Sequence, residues 1–138
     1  ISVDTKAMRK IEHIGIAVKD LEKANRLYTA LLGLPPYKQE DVESEGVATS
    51  FFIKGETKIE LLEATDPESP IARFITKKGE GLHHIAFEVN DIHSEVERLK
   101  NAGFELIGDI REGADNKLVC FIHPKSAHGV LVELCQEK

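Results

Sequence analysis

Polar and apolar residues alternate in two histidine-led runs, and after each run the apolar spacing changes from two to three or four. Lys10 to Val18 (KIEHIGIAV) places His13, Gly15 and Ala17 on one face and Ile14, Ile16 and Val18 on the other, the period of a strand. Asp20 then reads as the cap of a helix from about Leu21 to Leu32. Leu21, Ala24, Leu27, Tyr28 and Leu31 form its apolar stripe, Gly33 closes it, and Pro35-Pro36 prevents continuation. Val47 to Lys54 and Lys58 to Glu63 read as strands joined by a turn at Gly55-Glu56, and the loop 65–70 opens a short helix, Ile71 to Lys77. Beyond a linker at 78–81 the order returns. A strand from Leu82 to Val89 leads through Asp91 into a helix from about Ile92 to Ala102, with Gly103 at its end. An extended segment (Phe104 to Asp109), a turn (112–116) and strands at Lys117 to His123 and Gly129 to Cys135 complete the chain.

The chain thus reads as one module written twice. His13-Ile14 and His84-Ile85 open equivalent strands, and Ile59-Glu60-Leu61-Leu62 is answered by Val132-Glu133-Leu134-Cys135. His13 precedes Glu60 by 47 residues and His84 precedes Glu133 by 49. The predicted class is α+β. Each copy is a strand and a helix followed by short strands, and two such half-sheets would pair as a cupped mixed sheet with helices outside. We expect a single domain over 9–138, with module one at about 9–77 and module two at about 82–136. Residues 1–7 precede Met8 without an apolar run, and 1–8 are expected to be an extension outside the fold.

Parity assigns chemistry to four residues. Side chains two apart in a strand share a face, so Glu60 and Glu133 lie opposite Ile59/Leu61 and Val132/Leu134, as His13 and His84 lie opposite the apolar side of their strands. A strand histidine is ordinarily structural and a strand glutamate ordinarily faces water. The repetition of the His-to-Glu interval argues instead for a shared site, with two imidazoles and two carboxylates suiting Co²⁺, Mn²⁺, Ni²⁺ or Zn²⁺. Four protein ligands on an octahedral ion leave two positions for substrate oxygens. His83 falls on the other face and reads as structural, His123 as a loop anchor, and His93 and His128 as surface residues. Cys135 shares the face of Glu133 and reads as packing.

Composition narrows the partners. With 138 residues, 41% apolar, a core can form without staples, because a chain of this size buries roughly two-thirds of its unfolded surface. A net charge of −6 without a basic run argues against nucleic acid, and no apolar stretch approaches a membrane span of ~20 residues. Two cysteines without metal or redox spacing fit reduced thiols, and a cytoplasmic location is expected.

The stretches HIGIAVKDLEKA (13–24), KIELLEATDPESPIARFI (58–75), GLHHIAFEV (81–89) and NKLVCFIHPKSAHGVLVELCQ (116–136) cover most of residues 9–136. On these the chain resembles the vicinal-oxygen-chelate superfamily and, within it, the methylmalonyl-CoA epimerase family. The resemblance implies paired βαβββ modules, a divalent metal (cobalt foremost), a homodimer, and an acyl-CoA substrate epimerised at C2 through a metal-stabilised enolate. Its metal ligands fall on His13, Glu60, His84 and Glu133; some members carry Gln where this chain has Glu60. Inversion needs an acid/base on each side of the planar intermediate. Glu133 is one. The carboxylate proposed for the other in one branch falls on Thr49, so either Glu45 or Glu43 reaches in from the adjoining loop or a bound water or another ligand carboxylate does the work; of the loop residues, Glu45 is the one we assign. Lys125 and nearby basic residues could meet CoA phosphates. A glyoxalase-type lyase acting on a hemithioacetal, or a non-catalytic ligand-binding protein of the same fold, are the alternatives.

Overall fold

The structure is a computed structural model that describes residues 7–138; the extension expected at the N-terminus lies, for residues 1–6, outside the described residues. Two compact units partition the chain, one formed by 13–83 and the other by 84–138 together with the N-terminal residues as far as Glu12.

In the unit 13–83, four strands lie in the order β2-β3-β4-β1: β1 (Lys10–Ala17, entering from the other unit), β2 (Lys38–Val42), β3 (Val47–Lys54) and β4 (Thr57–Ala64). β2/β3 and β3/β4 are antiparallel, whereas β4 runs parallel to β1. Parallel pairing requires a crossover, and α1 (Leu21–Leu32) begins it. The Asp20 carboxylate accepts from Lys23 N, and Gly33 at φ +78 closes the helix. Leu21, Ala24, Tyr28 and Leu32 of α1 pack on Val18, Phe52 and Leu61. α2 (Pro70–Lys78), capped by Ser69 with proline in its first turn, packs Ile71, Phe74 and Ile75 on Ala17, Val47 and Leu62. Leu61 and Leu62 point to opposite faces, so the two helices serve opposite sides of this half-sheet.

The other unit repeats the plan as β5-β8-β7-β6, from β5 (Gly81–Glu88), β6 (Leu106–Glu112), β7 (Lys117–Ile122) and β8 (Val132–Glu137). β5/β8 is the parallel pair and the remaining two pairings are antiparallel. α3 (Ile92–Asn101), capped by Asp91, buries Ile92, Val96 and Leu99 against Val89, Cys120, Ile122 and Leu134. A short 3₁₀ turn (Pro124–Ser126) stands between β7 and β8, where the first unit has a tight turn at Gly55-Glu56 between β3 and β4; α2 of the first unit instead follows β4. Met8 packs against this core, Ala7 is buried, and the Arg9 amide donates to Glu88 O, so the end of the expected extension is part of the unit.

The repeat extends to the helix starts. The first-turn amide of α1, Leu21 N, which has no partner within the helix, donates to Glu63 Oε1 at 2.6 Å, and that of α3, Ile92 N, to Gln136 Oε1 at 2.7 Å. Glu63 and Gln136 lie three residues after Glu60 and Glu133. The strand that carries each candidate ligand therefore also satisfies the helix beside it.

β2 was not marked by its sequence, and the Lys10 to Val18 and Leu82 to Val89 strands end within a residue or two of their expected limits. Among the described residues no helix is long and apolar enough to cross a membrane.

Candidate active site

The sheet register explains why each histidine meets a glutamate. In the first unit Gly15 lies beside Glu60 across the parallel β1/β4 pair, and His13 is two residues earlier on the same face. In the second, Ala86 lies beside Glu133 across β5/β8, with His84 two residues earlier. On its other side each glutamate faces a phenylalanine, Phe51 on β3 and Phe121 on β7. A small residue, a carboxylate and an aromatic ring thus stand in a row in both units. The missing or short side chain at Gly15 and Ala86 leaves room for the diagonal imidazole to reach the carboxylate.

His13 Nε2 lies 3.3 Å from Glu60 Oε1, and His84 Nε2 lies 3.1 Å from Glu133 Oε1. All four residues are buried, at 5%, 4%, 4% and 6% exposure respectively. The separations exceed the ~2.7–2.9 Å of a strong charge-assisted hydrogen bond. They match the spacing of about 3.0 Å between adjacent donors on a six-coordinate ion with bonds of ~2.1 Å. Imidazole nitrogen and carboxylate oxygen are also the donor types a borderline divalent ion takes. His84 and Glu133 belong to a buried set spaced to hold an ion. The residues present in each unit fit half of a metal site.

The surroundings fix these side chains. The His84 ring meets the Phe121 ring edge-on, centroids 6.1 Å apart, and the Arg111 guanidinium stacks over Phe121 at 5.1 Å. In the other unit Tyr37 lies 6.1 Å from Phe51, and the Lys58 ammonium sits over Tyr37 at 5.9 Å. Neither phenylalanine nor Arg111 had been marked as functional by sequence. The signal available was the Phe preceding each glutamate on the adjoining strand.

The remaining histidines take the expected places. His83 packs edge-on against Phe74, His123 Nδ1 accepts from Lys125 N, and His93 and His128 are exposed. Cys135 Sγ contacts Phe87 O at 3.5 Å within a packed cluster, and burial pushes the Cys120 thiol up, which keeps it protonated and unreactive. Lys125 is ion-paired to Glu105 at 2.9 Å, an exposed pair.

The expected second acid/base fares differently. Thr49 is buried and its hydroxyl donates to Glu40 O, so it is occupied as a structural group. Glu45 ends a 3₁₀ turn (Glu43–Glu45) before Val47, and Val47 is four residues along β3 from Phe51, the residue facing Glu60. That is about 13 Å of strand, so the register does not bring Glu45 to the row of Glu60. Glu40 faces Thr49 across β2/β3 and Thr49 faces Leu62 across β3/β4, which puts the half-buried Glu40 on the face of Glu60, beside Lys38 at 3.5 Å.

With this geometry established, kinship is unambiguous. Residues 12–121 match the model of the Glyoxalase/Bleomycin resistance protein/Dioxygenase superfamily. The chain belongs to that superfamily. Within the superfamily it is similar to an ethylmalonyl-CoA/methylmalonyl-CoA epimerase of Cereibacter sphaeroides, 42% identical over 130 residues that make up 92% of this chain and 97% of the relative. Its structure is similar to that of methylmalonyl-CoA epimerase from Mycobacterium tuberculosis, with a TM-score of 0.92, 33% identity, and 99% and 93% of the two chains covered. A Streptomyces coelicolor methylmalonyl-CoA epimerase in complex with 2-nitronate-propionyl-CoA superposes with a TM-score of 0.89 at 32% identity, covering 95% and 99%. The α+β superfamily fold expected from the sequence is therefore the one adopted.

Proposed function

We propose that this chain is a methylmalonyl-CoA epimerase that interconverts the R and S forms by moving the proton at C2. The observation that carries the reading is the pair of buried His–Glu contacts, one in each repeat, in a chain 42% identical over nearly its whole length to an epimerase of malonyl-type acyl-CoAs. His13, Glu60, His84 and Glu133 would together hold one divalent ion, cobalt foremost, with manganese, nickel or zinc as alternatives. Such an ion, when bound, supplies Lewis acidity toward the substrate's oxygens.

The chain's own residues account for the remaining demands. Burial of all four ligands removes water that would otherwise screen them, so charge developing on the substrate is met in a low-dielectric setting. Phe51 and Phe121 stand beside the two carboxylates on the adjoining strands, where an apolar ring adds to their burial. Glu133 exchanges a proton with C2 from one side of the substrate. The acid/base for the other side comes from the acidic segment between Glu40 and Glu45. Glu45 was the residue expected, whereas the strand register favours Glu40. A soluble, cytoplasmic homodimer completes the proposal.

Wash-in of deuterium at C2 of methylmalonyl-CoA, with the metal-loaded and the metal-stripped protein, is the direct test. Metal-dependent exchange with interconversion of the epimers supports the assignment. An inert metal-loaded protein overturns it and directs attention to hemithioacetals. In the same assay Glu40→Gln should lose exchange from one epimer, and Glu45→Gln should not.

A further inference from the structure

We propose that Arg111 binds the free carboxylate of a malonyl-type acyl-CoA, which makes it the residue that selects substrates with that group. The inference rests on the acyl-CoA reading above and deepens it.

The strand register puts Arg111 opposite Val119 on β7, and Val119 opposite Cys135 on β8, so Arg111 shares a face with Cys135 and Glu133. An irregularity between Ile107 and Arg111 in the β6/β7 pairing re-aims the strand at this point. The guanidinium then sits over the Phe121 ring, 5.1 Å from its centroid, and the edge contact of Phe121 with His84 carries the chain of contacts to the candidate metal ligand. A half-buried arginine braced on an aromatic ring has lost much of its rotamer freedom before any ligand arrives, so little entropy opposes a forked contact to a carboxylate.

Charge makes the need specific. Glu60 and Glu133 together cancel the two positive charges of a divalent ion. A malonyl-type substrate then brings one further carboxylate, and transfer of the C2 proton to Glu133 moves charge within the site without cancelling that excess. A cation on the same face offsets that excess, and Arg111 is placed to supply it. The phosphates of CoA are separated from the acyl group by the pantetheine arm, whereas Arg111 is only two ring contacts from His84.

The test is equilibrium binding of methylmalonyl-CoA and of propionyl-CoA, which lacks the carboxylate, to the metal-loaded wild-type, Arg111→Met and Arg111→Lys proteins. Arg111→Met should weaken methylmalonyl-CoA roughly ten- to hundredfold and leave propionyl-CoA within about twofold, with Arg111→Lys in between. Equal losses for both ligands would reassign the arginine to a phosphate, and unchanged affinity for both would make it structural; either overturns the proposal. If Arg111→Met does not fold, Arg111→Lys carries the same comparison. Wild-type protein that binds methylmalonyl-CoA without exchanging its C2 proton would refute the epimerase reading alone. Wild-type protein that binds neither ligand would refute both.

Discussion

At the scale of single residues, the His–Glu contact in each unit was legible in the sequence, because a duplicated interval is improbable for side chains with unrelated duties. His84→Ala or Glu133→Ala should abolish C2 exchange and weaken metal binding, read by calorimetry. Full retention of metal by either variant would separate that residue from the ion. What surrounds these residues was not legible. Phe51, Phe121 and Arg111 are ordinary strand residues in sequence, and only the folded chain shows that the two phenylalanines stand beside Glu60 and Glu133 and that Arg111 lies over Phe121. Gly46 is a further residue whose role appears only in three dimensions. Its φ is +66, and a Cβ there would lie 2.9 Å from Ser69 Cβ and 3.0 Å from Asp66 Cβ. Gly46→Ala combines left-handed strain with a clash against the cap of α2, and denaturant unfolding should show a loss of about 1–3 kcal/mol. A variant as stable as wild type would mean that the 43–46 turn relaxes freely.

The scale of elements shows which patterns carry information and which do not. Helices α1 and α3 were readable from their caps and apolar stripes, because Asp20 and Asp91 offer a carboxylate to an otherwise unpaired amide. β2 (KQEDV) was not, because at the edge of its half-sheet it needs few apolar residues and its polar composition looks like loop. The Asp91 cap also implies a pH dependence. Hydrogen bonds from the Ser94 hydroxyl and amide hold the Asp91 carboxyl below its ordinary range. The Lys125 ammonium does the same for Glu105, and the Lys138 ammonium for Glu112. A carboxyl whose folded pKa is lowered stabilises the fold above its unfolded value, and the contribution is lost as pH falls through the folded value. All three belong to the unit 84–138, so its stability should be level above about pH 5 and fall toward acid. Asp91→Asn, which keeps a capping oxygen but cannot titrate, should flatten that decline in acid-titration melting curves. An unchanged acid limb would show that Asp91 gains nothing on folding.

At the scale of the whole molecule, the proposed four-ligand site depends on the duplication. Each unit alone supplies one imidazole and one carboxylate, too few donors to hold a divalent ion tightly, and the proposed function requires both. Metal binding should then be coupled to the folding of both units. A ligand bound only by the native state stabilises it by about 2.7 kcal/mol at a hundred times its Kd. For a chain of this size that is a rise in Tm of roughly 10 °C. Adding cobalt to the stripped protein should raise a single cooperative transition by this amount. His13→Ala, in one unit, should remove the metal-induced rise as completely as His84→Ala, in the other, because either deletion leaves three donors and an open, solvated position. Two separate transitions, only one of them responding to metal, would instead mean that a single unit holds the ion. In that case the second His–Glu pair would be a structural relic of the duplication, and the four-ligand site would have to be abandoned even if the protein proved to be an epimerase.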